Sequence, residues 1–192
     1  FNISKHFYDT FEEGDKRAET IITRFFHIFG YWVTEEHLGS VWDGFIINKY
    51  PIETETPFQG TDIPLARWAD VLLLYAEADV RAHNTVSAQA IDCVNQVRQR
   101  AGLHNLDPEK TASKEAFLDA LLMERGHELY YEGCRKIDLI RFNKYYTLLK
   151  EAGKDPSSQY FPLPDYAVKQ AEECGKTLTQ YFTRDNYDGP KR

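Results

Sequence analysis

A chain of 192 residues can bury a substantial core within one or two domains. Its formal charge of −7, from 23 Lys and Arg against 30 Asp and Glu, argues against nucleic acid, whose backbone demands a basic surface. No apolar run approaches the length of a membrane-spanning helix, and Cys93, Cys134 and Cys174 lie far apart with no C-x-x-C, which disfavours a zinc ribbon or a dense disulfide scaffold.

Residues 1–61 form an irregular, aromatic-rich stretch. The chain opens at Phe1 without an initiator Met, as a processed or partial chain would. Gly14-Asp15 reads as a turn, and Thr20 to Phe29 alternates weakly, as a strand or extended segment does. Tyr31, Trp32, Trp42, Phe45 and Tyr50 then follow among Gly39, Gly44, Pro51, Pro57 and Gly60. A loop of this length in a compact domain is commonly functional, and its two tryptophans argue against disorder. The rings admit two readings. They fill the core, or they form a platform for the C–H face of a sugar, with Asp43, Asn48 and Lys49 at the rim for its hydroxyls. On the second reading the candidate substrate-binding residues are Tyr31, Trp32, Trp42 and Tyr50. Trp32 and Trp42 would turn toward one surface. On the rival reading Trp42 plugs the core beside Leu65 and Trp68.

Residues 62–150 read as a helical scaffold. Asp62 and Pro64 suit a helix start. Leu65, Ala69, Leu72, Leu73, Ala76 and Val80 recur at spacings of three and four, as one apolar stripe. Asn84-Thr85 makes a turn, and Ala88, Ile91, Val94, Val97 and Ala101 give a second helix that stops at Gly102. The small alanines suit a tetratricopeptide-like hairpin. Ser113 can cap a third helix carrying Phe117, Leu118, Leu121, Leu122 and Leu129, expected to run on to Gly133. A fourth is expected from Arg135 to Lys150 with Ile137, Ile140, Tyr145 and Leu148 inward. Residues 151–192 read as a tail. Gly153 to Ser158 is a turn, and Phe161-Pro162-Leu163-Pro164 must be extended, because the residue before a proline is pushed out of the helical region.

Glu124, Glu128, Glu132 and Arg135 fall on one helical face. Two carboxylates a turn apart could serve as the acid and base of a glycosidase, but the interleaved arginines would keep both ionised. A ladder of Glu–Arg pairs, made among Glu124, Arg125, Glu128 and Arg135 or with the helix at 64–82, is the preferred reading. The six histidines have no metal-ligand spacing. No G-x-S-x-G or phosphate-binding loop occurs, so neither a metal nor a cofactor is expected.

The segments DIPLARWADVLLLYAEA, VNQVRQRAGL, ERGHELYYEGCRKIDLIRF and YFPLP, in this order and at these separations, resemble the SusD/RagB family. Gly14-Asp15-Lys16-Arg17 is similar to that family's gDpR segment. LTQYFTRDNY is a looser match to its ending. The resemblance corresponds to the C-terminal part of the family pattern, so 1–192 is read as a single SusD-like C-terminal region of a longer protein. It implies a mostly α fold, with tetratricopeptide-like hairpins and long irregular loops. It also implies a glycan-binding lipoprotein of the Bacteroidetes outer membrane. Such a protein is surface-exposed, held by a lipid anchor outside this chain, and delivers oligosaccharide to a TonB-dependent SusC-type transporter without catalysis. The family's glycan contacts vary between members, so no site residue is carried over from it. A peptide-binding helical adaptor and a glycoside hydrolase using Glu124 and Glu128 are the rival readings.

Overall fold

The computed structural model describes residues 2–51, 60, 62, 64–151, 153 and 163–178. The chain forms two compact units, Phe1–Arg135 and Lys136–Arg192. It is mostly α-helical, as expected.

In the first unit, β1 (Asn2–Ile3) and β2 (Ile21–Ile22) both pair antiparallel with β5 (Phe45–Ile47), giving the sheet order β1-β5-β2. Helix α1 (Lys5–Tyr8) follows β1, capped by the Ser4 hydroxyl, which accepts from the Phe7 amide. A separate hairpin pairs β3 (Phe25–Phe26) with β4 (Trp32–Val33), in register Phe25↔Val33 and Phe26↔Trp32. The aromatic-rich stretch is therefore built from short strands, and not from loop alone. Ile3, Ile21, Val33, Trp42, Phe45 and Tyr130 form one buried cluster beneath both sheets.

The helical hairpin is α2 (Trp68–His83) and α3 (Ala88–Arg100). Asn84 turns the chain at φ 55, a left-handed value that asparagine tolerates. Asp79 then ties the two helices together: its carboxylate accepts from the Ser87 hydroxyl, and Ser87 in turn caps α3 by accepting from the Ala90 amide. Leu72, Leu73, Ala76 and Val80 face inward against α3, whose inner row is Ala90, Cys93, Val94 and Val97. Val94, Val97 and Ala101 are buried as expected, whereas Ala88 is exposed and Ile91 half-buried, with Ala90 and Cys93 inside in their place. Leu65 lies before the helix, 97% exposed, and Arg67, not Asp62, occupies the cap position. After α4 (Pro108–Thr111), α5 (Lys114–Leu129) packs on both, with Phe117 and Leu121 fully buried and Ser113 capping it as anticipated.

Two helix ends differ from the sequence reading. Helix α5 stops at Leu129, because Tyr130 is extended and Tyr131 takes φ 64. The segment expected as one helix from Arg135 to Lys150 is two, α6 (Arg135–Arg141) and α7 (Tyr145–Glu151), broken where Asn143 takes φ 57. In the second unit Leu139, Phe142 and Tyr145 are buried. Ile137, expected inward, is 64% exposed. Helix α8 (Asp165–Glu173) begins just after Pro164. The turn at 154–158, the Phe161-Pro162 step and most of the tail lie outside the described residues.

Gly44 sets how closely β1 and β5 approach. A Cβ there would lie 2.5 Å from the Ile3 carbonyl oxygen, well inside contact distance. Backbone, not a flexible side chain, would have to move. Gly44→Ala is therefore expected to destabilise the unit by about 1–3 kcal/mol, as overpacking does. A lowered midpoint in thermal unfolding checks this; an unchanged one would show that β1 is not held at that distance.

Candidate ligand-binding surface

The four candidate rings do not form one platform. Strand alternation decides where most of them go. Phe25 and Val33 point inward, and Trp42 joins them, its ring edge-on to Phe25 at 5.4 Å and to Phe45 at 5.4 Å, with its indole N–H donating to the Thr34 carbonyl. At 8% exposure Trp42 is core, so the expectation that it shares a surface with Trp32 is corrected. The core that it fills is this one, not a site beside Leu65 and Trp68, which are themselves exposed. Tyr50 lies elsewhere, 6.3 Å from the Tyr131 ring. Of the rim residues, Lys49 is already committed: its ammonium donates to the Glu128 and Tyr130 carbonyls and pairs with Glu132.

What remains is the hairpin. Phe26 and Trp32 are directly opposed across β3–β4 and stand on its outer face, 59% and 56% exposed. Their rings meet edge to face at 5.5 Å and 69°. Arg24, two residues before Phe26 and therefore on the same face, lays its guanidinium over the Trp32 ring at 5.7 Å. Ile28 and Phe29 project from the tip, 90% and 78% exposed. Tyr31 stacks on His27, with centroids 4.9 Å apart and planes 18° apart, so it serves the tip and not the Phe26–Trp32 face. Phe26, Phe29 and Arg24 were not singled out from sequence. Alternation of Arg24-Phe25-Phe26 against Trp32-Val33-Thr34 was the signal that could have found Phe26 and Arg24.

Residues on either side of the strand-rich segment are tied to α5 by a charged network. Glu124 and Glu128 on α5 are almost fully buried, and arginines from three segments converge on them. Arg17 donates to Glu124 at 2.6 Å and to Glu128 at 3.2 Å, and it is itself gripped by Asp15. Arg98 bridges Glu124 at 3.1 Å and Glu12 at 2.8 Å. Arg67 donates to Glu128 at 2.6 Å and to Glu132 at 2.8 Å, and Arg100 adds a further bond to Glu128. Burial works against the charge on Arg17, but its bonds to Asp15 and Glu124 raise its pKa on balance. Burial likewise opposes ionised Glu132, yet hydrogen bonds from Arg67 and Lys49 hold it below the ordinary carboxylate range.

The ladder expected within α5 or with the stretch 64–82 is made in part with that stretch, through Arg67, while Arg17, Arg98 and Arg100 bring in two further segments. Arg125 does pair with Asp70 on α2, at 2.9 Å. Arg135 instead donates to the Leu122 carbonyl, in space that Gly126 leaves open. Both carboxylates have both oxygens occupied by arginine and accept only, whereas glycosidic acid catalysis needs a proton to give. Among the described residues no group of His, Cys, Asp and Glu could hold a metal ion, and no helix is long and apolar enough to cross a membrane.

Beside the network, His127 is buried against Phe11, stacked at 4.2 Å. The Thr10 hydroxyl spends its proton on the Phe7 carbonyl, so it accepts from His127 Nε2–H at 2.8 Å. Burial, followed by the charges of Arg17 and Arg135, lowers the His127 pKa to about 4.

The model of the SusD family matches residues 2–184. A SusD-like protein P38 of Formosa agariphila is 31% identical over 150 residues, covering 74% of this chain and 28% of that protein. The starch-binding protein SusD of Bacteroides thetaiotaomicron is 31% identical over 106 residues, covering 55% of this chain and 17% of that one. Among solved structures, a laminarin-binding SusD-like protein superposes with a TM-score of 0.65 at 25% identity, over 97% of this chain and 38% of that one. The chain thus spans less than a third of the length of the curated relatives it matches.

Two stability predictions follow from the buried groups. Glu128→Ala leaves Arg17, Arg67 and Arg100 facing an empty site, and should destabilise by about 3–5 kcal/mol, as breaking a buried pair does. Chemical denaturation measures this, and a shift below about 0.5 kcal/mol would mark the network as solvated decoration. His127 is neutral when folded, while the unfolded imidazole takes a proton below its ordinary pKa of 6.5. Stability is therefore full above pH 6.5 and falls as pH drops toward 4, by roughly 3 kcal/mol in all. Glu12, lowered to about 2 chiefly by its hydrogen bond from Arg98, adds its own loss only below about 4.5. Unfolding measured from pH 7 to 5 should slope in the wild type and flatten in His127→Gln.

Proposed function

The chain belongs to the SusD family, and we propose that it holds an oligosaccharide against the outer face of the β3–β4 hairpin at the bacterial cell surface. On this reading the protein is a lipid-anchored outer-membrane receptor that passes its ligand to a TonB-dependent transporter of the SusC type, and it carries no catalytic activity. The observation that carries the reading is the exposed, mutually braced Phe26–Trp32 pair on a hairpin whose opposite face is fixed in the core by Phe25, Val33 and Trp42. Rigid exposed rings present a face to sugar C–H groups with little ordering entropy left to lose. The starch-binding and laminarin-binding names of two relatives support a glycan as the ligand class.

Tyr31 belongs to this proposal as a tip residue. Tyr50 stands as a separate contact beside Tyr131, and Trp42 acts only as support. One stacked ring contributes about 1 kcal/mol beyond area burial, so Trp32→Ala should weaken polysaccharide binding roughly fivefold with an unchanged melting temperature. Trp42→Ala should instead lower the melting temperature, by about 3–5 kcal/mol of stability. Isothermal titration with a panel of neutral and acidic polysaccharides reads the first, and thermal unfolding reads the second. Undiminished binding in Trp32→Ala would overturn the site, and reducing ends released from the glycan would favour a hydrolase.

A further inference from the structure

We infer that the hairpin face selects saccharides bearing an anionic group, a carboxylate or a sulfate ester, over neutral ones. This rests on the reading of Phe26 and Trp32 as the sugar platform. Arg24 stands apart from the other described arginines. Every other described arginine is spent within the protein. Arg17, Arg67, Arg98 and Arg100 are bound in the Glu124–Glu128 network, and Arg125 pairs with Asp70. Arg81 and Arg141 are held by Glu77 and Asp138, and Arg135 by the Leu122 carbonyl. Arg24 alone has no carboxylate or carbonyl partner among the described residues, and it is exposed.

Its one contact is the Trp32 ring, 5.7 Å below. A guanidinium held by a ring alone keeps its N–H groups free, and their planar fork matches the two oxygens of a carboxylate or sulfate. Arg24, Phe26 and Trp32 share one face of a two-stranded hairpin. A sugar stacked on the rings therefore brings a substituent on its rim within reach of a cation already positioned. The acids that flank the hairpin are not paired with that charge: Glu19 lies in the turn before β2, Glu35 and Glu36 lie beyond Thr34, past the end of β4, and Glu35 is 3.4 Å from Lys5. Nor does bulk attraction account for an acidic ligand, since the chain as a whole carries −7. The cation is local, so the preference must be local too.

The test measures binding of polygalacturonate and dextran sulfate against amylose and laminarin, for the wild type, Arg24→Gln and Trp32→Ala. The expected result is that the wild type binds one of the acidic polymers about tenfold more tightly than either neutral one, in line with a charge-assisted hydrogen bond. That preference should shrink as salt is raised, and disappear in Arg24→Gln while its melting temperature stays put. Whether polygalacturonate or dextran sulfate shows it tells carboxylate from sulfate. Neutral polymers bound as tightly as acidic ones, still dependent on Trp32, would overturn the charge selection and leave the platform standing. An acidic preference that survives Arg24→Gln would overturn it as well. Binding indifferent to Trp32 for every polymer would remove the platform, and this inference with it.

Discussion

Two carboxylates, Glu124 and Glu128, are carried into the interior by a helix that has no choice but to bury them. Phe117, Leu121 and Leu122 pin the apolar face of α5 against α2 and α3, and the segment from Glu124 to Leu129 is buried at every position. Removing an ion from water takes several kcal/mol, which only close, fully bonded counter-charges offset. Everything that reaches those carboxylates is therefore fixed in place. Arg17 arrives from the turn after Gly14, Arg67 from the chain before α2, and Arg98 and Arg100 from the last turn of α3.

The network is better understood as a device for specifying position than as a source of net stability. Apolar residues of equal volume would hold the helices at least as well. They would not fix where the strand-rich segment sits. Asp15 and Glu12 bring their own bonds to Arg17 and Arg98, and Lys16 donates its amide to the Ala101 carbonyl. Lys49, just beyond β5, reaches the same end of α5. The segment that carries the exposed rings is thereby tied at both ends to the helical scaffold.

Between those ties, the hairpin expresses a division of labour that follows from the two-residue period of a strand. One face, with Phe25 and Val33, closes over Trp42 and Phe45; the other shows Arg24, Phe26 and Trp32. A surface made this way is stiff, because its backbone is locked by the buried half. It is also open to variation, because the outer residues support nothing.

Much of the helical part was legible in the sequence. Apolar spacing marked α2, α3 and α5, Ser113 marked a cap, and Gly102 marked a stop, because all of these are set by interactions within a few residues. The family resemblance rested on the same helical segments, on YFPLP and on Gly14-Asp15-Lys16-Arg17, of which Asp15 and Arg17 belong to the network. Local sequence could not tell which of Trp32 and Trp42 faces solvent, since both rings are apolar and both sit among glycines and polar residues. Nor could it say that the partners of Glu124 and Glu128 come from segments up to 111 residues away in sequence, as Arg17 does. Those outcomes depend on strand register and on which helices meet, which are settled by contacts between distant parts of the chain. Residue spacing marks the main helices and sets the charges along the chain, because both are local properties. Which charges neutralise one another, which ring is core and which described arginine is left over emerge only on packing, because burial and pairing are properties of the folded whole.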